Sequence, residues 1–152
     1  MNLNNVKYIN EFRKLPFPKN EMLIVGSGTL AFLGIRPNND IDVWATKNVI
    51  NKVSKDRRFI MKKSKLENSM IYESEDGMFE ITEALPPLKE SVKDQLKRAI
   101  VIYGLHFQSP KDVLEWKKLA NRPKDRDDIK KLESFLKNNV VENYLRTIQS
   151  LI

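Results

Sequence analysis

Residues 22–25, Met-Leu-Ile-Val, form an apolar run that stops at Gly26. A short continuous apolar run closed by a glycine reads as a buried strand. Gly28 to Leu33 then reads as a helix, ended near Gly34 and Pro37. Residues 40–45, Asp-Ile-Asp-Val-Trp-Ala, return as a second strand. Side chains alternate across a strand, so Ile41 and Val43 point one way and Asp40, Asp42 and Trp44 the other. Strand, glycine turn, helix and strand therefore follow one another within residues 22–45, and the rest of the fold has to be built around that unit.

Upstream, Val6, Ile9, Phe12 and Leu15 recur at helical spacing and predict a helix over 6–15, broken by the prolines of residues 15–20. Downstream, a helix is expected over 46–54 and strands over 57–62, 69–74 and 78–83. Glu75-Asp76-Gly77 supplies a hairpin turn between the last two, because Asp-Gly tolerates positive φ. Residues 88–98 fit helix or loop. Residues 99–103 read as a strand, with Gly104 turning the chain into 105–108. Ser109-Pro110 opens a helix running to about Leu119, serine being a good N-cap and proline suiting the first helical position. After Asn121-Arg122-Pro123, helices are expected over about 124–137 and 140–151. The expected fold class is α+β: a mixed β-sheet flanked by helices, with a helical C-terminal portion. A chain of 152 residues suits a single domain, with a core at about 20–108 and a helical segment at about 109–152.

The chain has no cysteine and one histidine, so disulfides, thiolate zinc sites and His-rich metal sites are excluded. Any bound metal must be held mainly by carboxylates, which favours Mg²⁺ or Mn²⁺. No apolar stretch is long enough to span a bilayer, and the first residues lack the apolar stretch of a secretory signal, so the expected location is cytoplasmic. Lysine and arginine total 27 against 20 acids, an excess of seven that attracts nucleotides or nucleic acid and also keeps a protein soluble.

Gly26-Ser27 lies where a strand ends and a helix begins. Unpaired backbone N–H groups there suit phosphate, glycine permits close approach, and the Ser27 hydroxyl adds a contact. Asp40 and Asp42 share a strand face, where two carboxylates repel and raise each other's pKa unless a cation lies between them. A divalent metal beside a phosphate-binding turn would satisfy both. The plainer readings are a solvated strand face for the two aspartates and an N-cap for Ser27.

The ordered set Gly26-Ser27, twelve intervening residues, then Asp40-Ile41-Asp42 resembles the signature of the nucleotidyltransferase superfamily related to DNA polymerase β. The resemblance covers about residues 20–83 and continues more weakly through 109–133, where the sequence is similar to the helical segment of the toxin-like and antibiotic-modifying branches. It implies the nucleotidyltransferase fold and transfer of a nucleotide from an NTP, with Mg²⁺ or Mn²⁺ as cofactor. A third metal-binding carboxylate is expected on a neighbouring strand, and Glu80 matches it, although glutamate stands where aspartate is common. Glu83 competes, but its odd spacing from Glu80 puts it on the opposite face. Arg36, between the helix and the acidic strand, is placed to reach an NTP phosphate; by the same resemblance Lys117 (or Lys118) on the helix, with Lys124 and Asp125 at the break, would face the cleft. Taken singly, these cations also fit plain surface charges, and Glu80 an exposed strand residue. The implied acceptor is an RNA end, particularly tRNA, or a protein hydroxyl, with an antitoxin protein as partner if the chain is a toxin. A small-molecule acceptor such as an antibiotic, and a catalytically inactive binding protein, are the alternatives. His106 reads as a strand residue; Trp44 and Trp116 read as core or cleft wall.

Overall fold

The computed structural model describes residues 1–64, 69–138 and Ile148. The strands are β1 (Met22–Val25), β2 (Ile41–Ala45), β3 (Phe59–Lys63), β4 (Met70–Ser74), β5 (Phe79–Thr82), β6 (Ile100–Ile102) and β7 (Leu105–Phe107). The α-helices are α1 (Ile9–Arg13), α2 (Ser27–Phe32), α3 (Lys47–Ser54), α4 (Val92–Lys97), α5 (Pro110–Ala120) and α6 (Arg126–Lys137). The architecture is α+β. All seven strands join in one sheet of order β3-β4-β5-β2-β1-β7-β6. The sheet is mixed: β2–β5 and β1–β7 are parallel pairs and the others antiparallel.

Alternation along the strands divides the core in two. On one face Ile24, Ile41, Val43, Ile81 and Phe107 pack with Ile9 and Phe12 of α1 and Val49 and Val53 of α3. On the other, Leu23, Val25 and Trp44 meet Val92 of α4 and Trp116 of α5. The opposite orientations expected for Ile41 and Val43 against Trp44 follow from this division. The fully apolar β1 is covered by both layers.

The helix expected over 6–15 is shorter. Tyr8 adopts a left-handed conformation (φ 71°), which separates a 3₁₀ turn at Leu3–Asn5 from α1. Val6, Ile9, Phe12 and Leu15 are all buried regardless. The open segment 88–98 contains α4, whose N-cap Ser91 accepts a hydrogen bond from the Asp94 amide. The expected 75–77 turn joins antiparallel β4 and β5, with Gly77 at φ 75° and Asp76 accepting from the Ser74 hydroxyl and Met78 amide. Ser109 caps α5 through the Asp112 amide, with Pro110 in the first turn. The helix expected from 124 begins with a 3₁₀ turn, Pro123–Asp125, before α6. The helix expected over 140–151 falls on residues that, Ile148 apart, lie outside the described ones. No helix among the described residues is long and apolar enough to cross a membrane.

Candidate metal centre

Strand register places the acidic residues. Val25, Asp42 and Glu80 are Cα partners across β1, β2 and β5, and Glu80 is in turn the partner of Glu73 on β4. Partners across a ladder share a face, so Asp42 and Glu80 stand side by side where β1 ends in the Gly26 turn. Asp40, just before β2, joins them: one carboxylate oxygen from each of Asp40, Asp42 and Glu80 lies within 4.8 Å of the other two. Glu83 lies past the end of β5, is exposed, and takes no part.

Three half-buried carboxylates this close oppose one another's ionisation. Burial, then the Asp40 and Glu80 charges, push the Asp42 carboxyl up to about 8. Asp40 is also raised, by burial and then by Glu80. Asp42 Oδ1 is sealed from solvent and has no hydrogen-bond partner among the described residues. A buried oxygen without a partner is costly, and a cation shared by the three carboxylates would remove both the deficit and the repulsion. The donor set is all oxygen, which suits Mg²⁺ or Mn²⁺.

The neighbouring turn is built around glycines. Gly26 has φ 59° and ψ −121°, a conformation that side-chain-bearing residues avoid. Gly28 is needed for space: a Cβ there would collide with Ile24 Cγ2, where α2 lies on β1. Buried Gln108 ties the turn down. Its Oε1 accepts from the Gly26 amide at 3.2 Å, its Nε2 donates to Gln95 at 2.9 Å, and its amide donates to the Ile24 carbonyl at 2.7 Å. The helix N-cap is Gly26, so Ser27 is not the cap. The Ser27 hydroxyl has no hydrogen-bond partner among the described residues. Because α2 has only six residues, its dipole is short, and any phosphate contact rests on this hydroxyl and the first free amides.

Gly26, Ser27 and the three acids line one cavity of about 520 Å³, within the roughly 300–1,000 Å³ typical of small-molecule sites. Arg36 and Lys117 line it too, but neither is free. Arg36 makes a bidentate pair with Asp128, at 2.6 and 2.8 Å. Lys117 is 4% exposed and pairs with Asp125 at 2.8 Å and Asp128 at 3.2 Å. Arg122 also holds Asp125, at 2.6 Å, and lies 4.6 Å over the Trp116 ring. Burial works against ionisation of Asp125 and Asp128, but their cation partners outweigh it and hold both below the usual carboxylate range. Three cations against two carboxylates leave this wall one positive charge in excess. Lys124, with no partner among the described residues, adds another on the cavity and acts favourably on the Asp40 and Asp42 charges. Lys118 points away, to Glu133.

Asp128, Arg122 and Gln108 were not singled out from the sequence. Trp44 is 3% exposed and packs edge-to-face on Trp116 at 6.1 Å, which makes it cleft wall. His106 is a half-buried β7 residue that does not line the cavity. No family model, curated protein or solved structure matches this chain.

Proposed function

We propose that the chain has a nucleotidyltransferase fold and transfers a nucleotide from an NTP to an acceptor hydroxyl, using a divalent metal. The observation that carries this reading is the sealed, partnerless Oδ1 of Asp42 within a three-carboxylate cluster. That cluster shares its cavity with the Gly26-Ser27 turn and a wall of excess positive charge.

Each part then has a task. Asp40, Asp42 and Glu80 hold Mg²⁺ or Mn²⁺, which when bound would neutralise phosphate charge and favour attack by an oxygen nucleophile. The Ser27 hydroxyl and adjacent amides contact the phosphates, and Lys124 supplies the unpaired cation. Arg36, Lys117 and Arg122 act through the residual charge of their network with Asp125 and Asp128. The acceptor oxygen bonds to the α-phosphorus as the bond from that phosphorus to the bridging oxygen breaks, and pyrophosphate leaves. Glu80 accepts the acceptor's proton.

The test is transfer of label from each α-³²P NTP, with Mg²⁺ or Mn²⁺, into total tRNA, total protein and a panel of small drugs. An Asp40→Asn/Asp42→Asn variant runs alongside. Label entering one pool and lost in the variant establishes the reaction and the acceptor class. Absence of metal-dependent NTP binding in the wild-type protein would remove the basis of the reading.

A further inference from the structure

The excess charge of this chain is concentrated. Residues 52–63 hold six cations and one acid, five of the seven net positive charges. All six cations are exposed. They run from the end of α3 along β3, the outermost strand on its side of the sheet. Arg58 is paired with Asp56, and Lys62 with Glu73. Lys52, Lys55, Arg57 and Lys63 have no partner among the described residues.

The same strand exposes apolar side chains: Ile60 is 51% and Met61 57% exposed. Lysines on an edge strand would by themselves deter edge-to-edge pairing. They would not account for two large aliphatic residues left in water beside them. Cations for a phosphate backbone beside exposed apolar surface fit a nucleic-acid strand.

Register connects this edge to the metal centre. Ile60 is the Cα partner of Glu73, Glu73 of Glu80, and Glu80 of Asp42. With strands about 4.8 Å apart, Ile60 stands roughly 14 Å from Asp42 along one row of one face. Lys62 and Lys63 line the cavity itself, so the basic edge forms its rim.

We infer that the β3 edge binds a nucleic-acid strand, with Lys52, Lys55, Arg57 and Lys63 on its phosphates and Ile60, on the metal-centre face, under its bases. In calling that strand the acceptor, the inference rests on the nucleotidyltransferase reading; as a binding surface it stands without it.

The experiment is fluorescence anisotropy of the full chain with labelled single-stranded RNA and DNA 12-mers, in EDTA without NTP, across a salt series. A Lys55→Gln/Arg57→Gln/Lys63→Gln variant is compared with an equal-charge control, Lys14→Gln/Lys93→Gln/Lys97→Gln, at exposed lysines elsewhere. At about 0.7 in log–log salt slope per phosphate contact on a single strand, the β3 variant should lose about 2 from the slope and bind at least about tenfold more weakly. The control should stay within twofold of wild type, and the RNA and DNA arms show which sugar is preferred. Equal weakening in both variants, no binding by wild type, or equally tight binding of poly-glutamate would overturn the inference. Mn²⁺-dependent NTP binding, measured separately on the same proteins, keeps the two readings apart. If it persists while oligonucleotide binding fails, the surface is refuted and the metal centre stands. If the oligonucleotide binds through β3 but no metal–NTP binding occurs, the surface stands and the transferase reading falls.

Discussion

Asp42→Asn should make the metal-free protein more stable, although it removes the central residue of the proposed active site. The Asp42 carboxyl titrates near 8 in the fold, against about 3.9 in an unfolded chain. Between those values the native state keeps a proton that the unfolded state has lost. A raised pKa means that the associated stability is fully present below about pH 4 and is lost as pH rises toward 8. At pH 7 the deficit spans about three pH units at 1.36 kcal/mol each, on the order of 4 kcal/mol. Asparagine keeps the shape and never ionises, so the variant escapes the deficit. At roughly 2–4 °C per kcal/mol, the gain in Tm would be on the order of 10 °C. The assay is thermal and urea unfolding in EDTA at pH 5, 6, 7 and 8. Wild-type stability should fall across the series while the variant stays closer to level. Saturating Mn²⁺ should close most of this gap, because binding at one hundred times Kd stabilises only the protein that binds, by about 2.7 kcal/mol. A variant less stable than wild type at pH 7 in EDTA, with an unchanged pH slope, would refute the claim that three crowded carboxylates store this energy.

Mn²⁺ affinity of the wild-type protein should rise by about tenfold per pH unit from pH 6 and flatten above 8, as one bound proton is displaced; calorimetric titration in two buffers counts that proton. Gly26→Ala should cost about 1–3 kcal/mol through backbone conformation alone, since no atom lies within 4 Å of the added Cβ. Gly28→Ala should cost a similar amount by pressing on Ile24, and urea unfolding gives both values. Lys117→Met should destabilise by about 3 kcal/mol, at the low end for a broken buried pair, because Arg122 and Arg36 still hold Asp125 and Asp128. Its loss is read from the urea midpoint at unchanged slope.

The central unit of the fold could be read from the chain because its determinants are local. Apolar runs, the Gly26 stop, the Asp76-Gly77 turn and the Ser109-Pro110 cap each act within a few residues. The adjacency of Asp40 and Asp42 follows from strand periodicity, whereas the place of Glu80 depends on β5 lying beside β2, which only the resemblance suggested. The fates of Arg36 and Lys117 were beyond reach for a different reason: their partners lie 92 and 8–11 residues away, on helices whose mutual packing no local pattern encodes. One signal did exist. Asp125, Asp128 and Leu132 fall at spacings of three and four, the same helical face, and Leu132 is fully buried. Asp125, the N-cap of α6, and Asp128, in its first turn, therefore continue the helix's buried stripe, and buried carboxylates there require cations.

The position of Asp40 shows how the site depends on parts of the chain outside the carboxylate motif. Asp40 precedes β2, so no strand ladder fixes it. The connection from α2 is held at two points instead. Arg36 is clamped to Asp128 of α6, and buried Asn38 accepts from the Lys7 amide at 2.9 Å while donating to the Lys7 and Asp40 carbonyls. The N-terminal segment and α6 thus meet at the loop that delivers the first carboxylate. The cation that anchors this loop is the one whose isolated sequence position suggested direct contact with a triphosphate. Its bidentate pair with Asp128 serves geometry, and the excess positive charge left on the wall serves electrostatics. A short loop can therefore carry a carboxylate into a cluster that repels it, because the opposing force is met by long-range pairs made to both ends of the described chain.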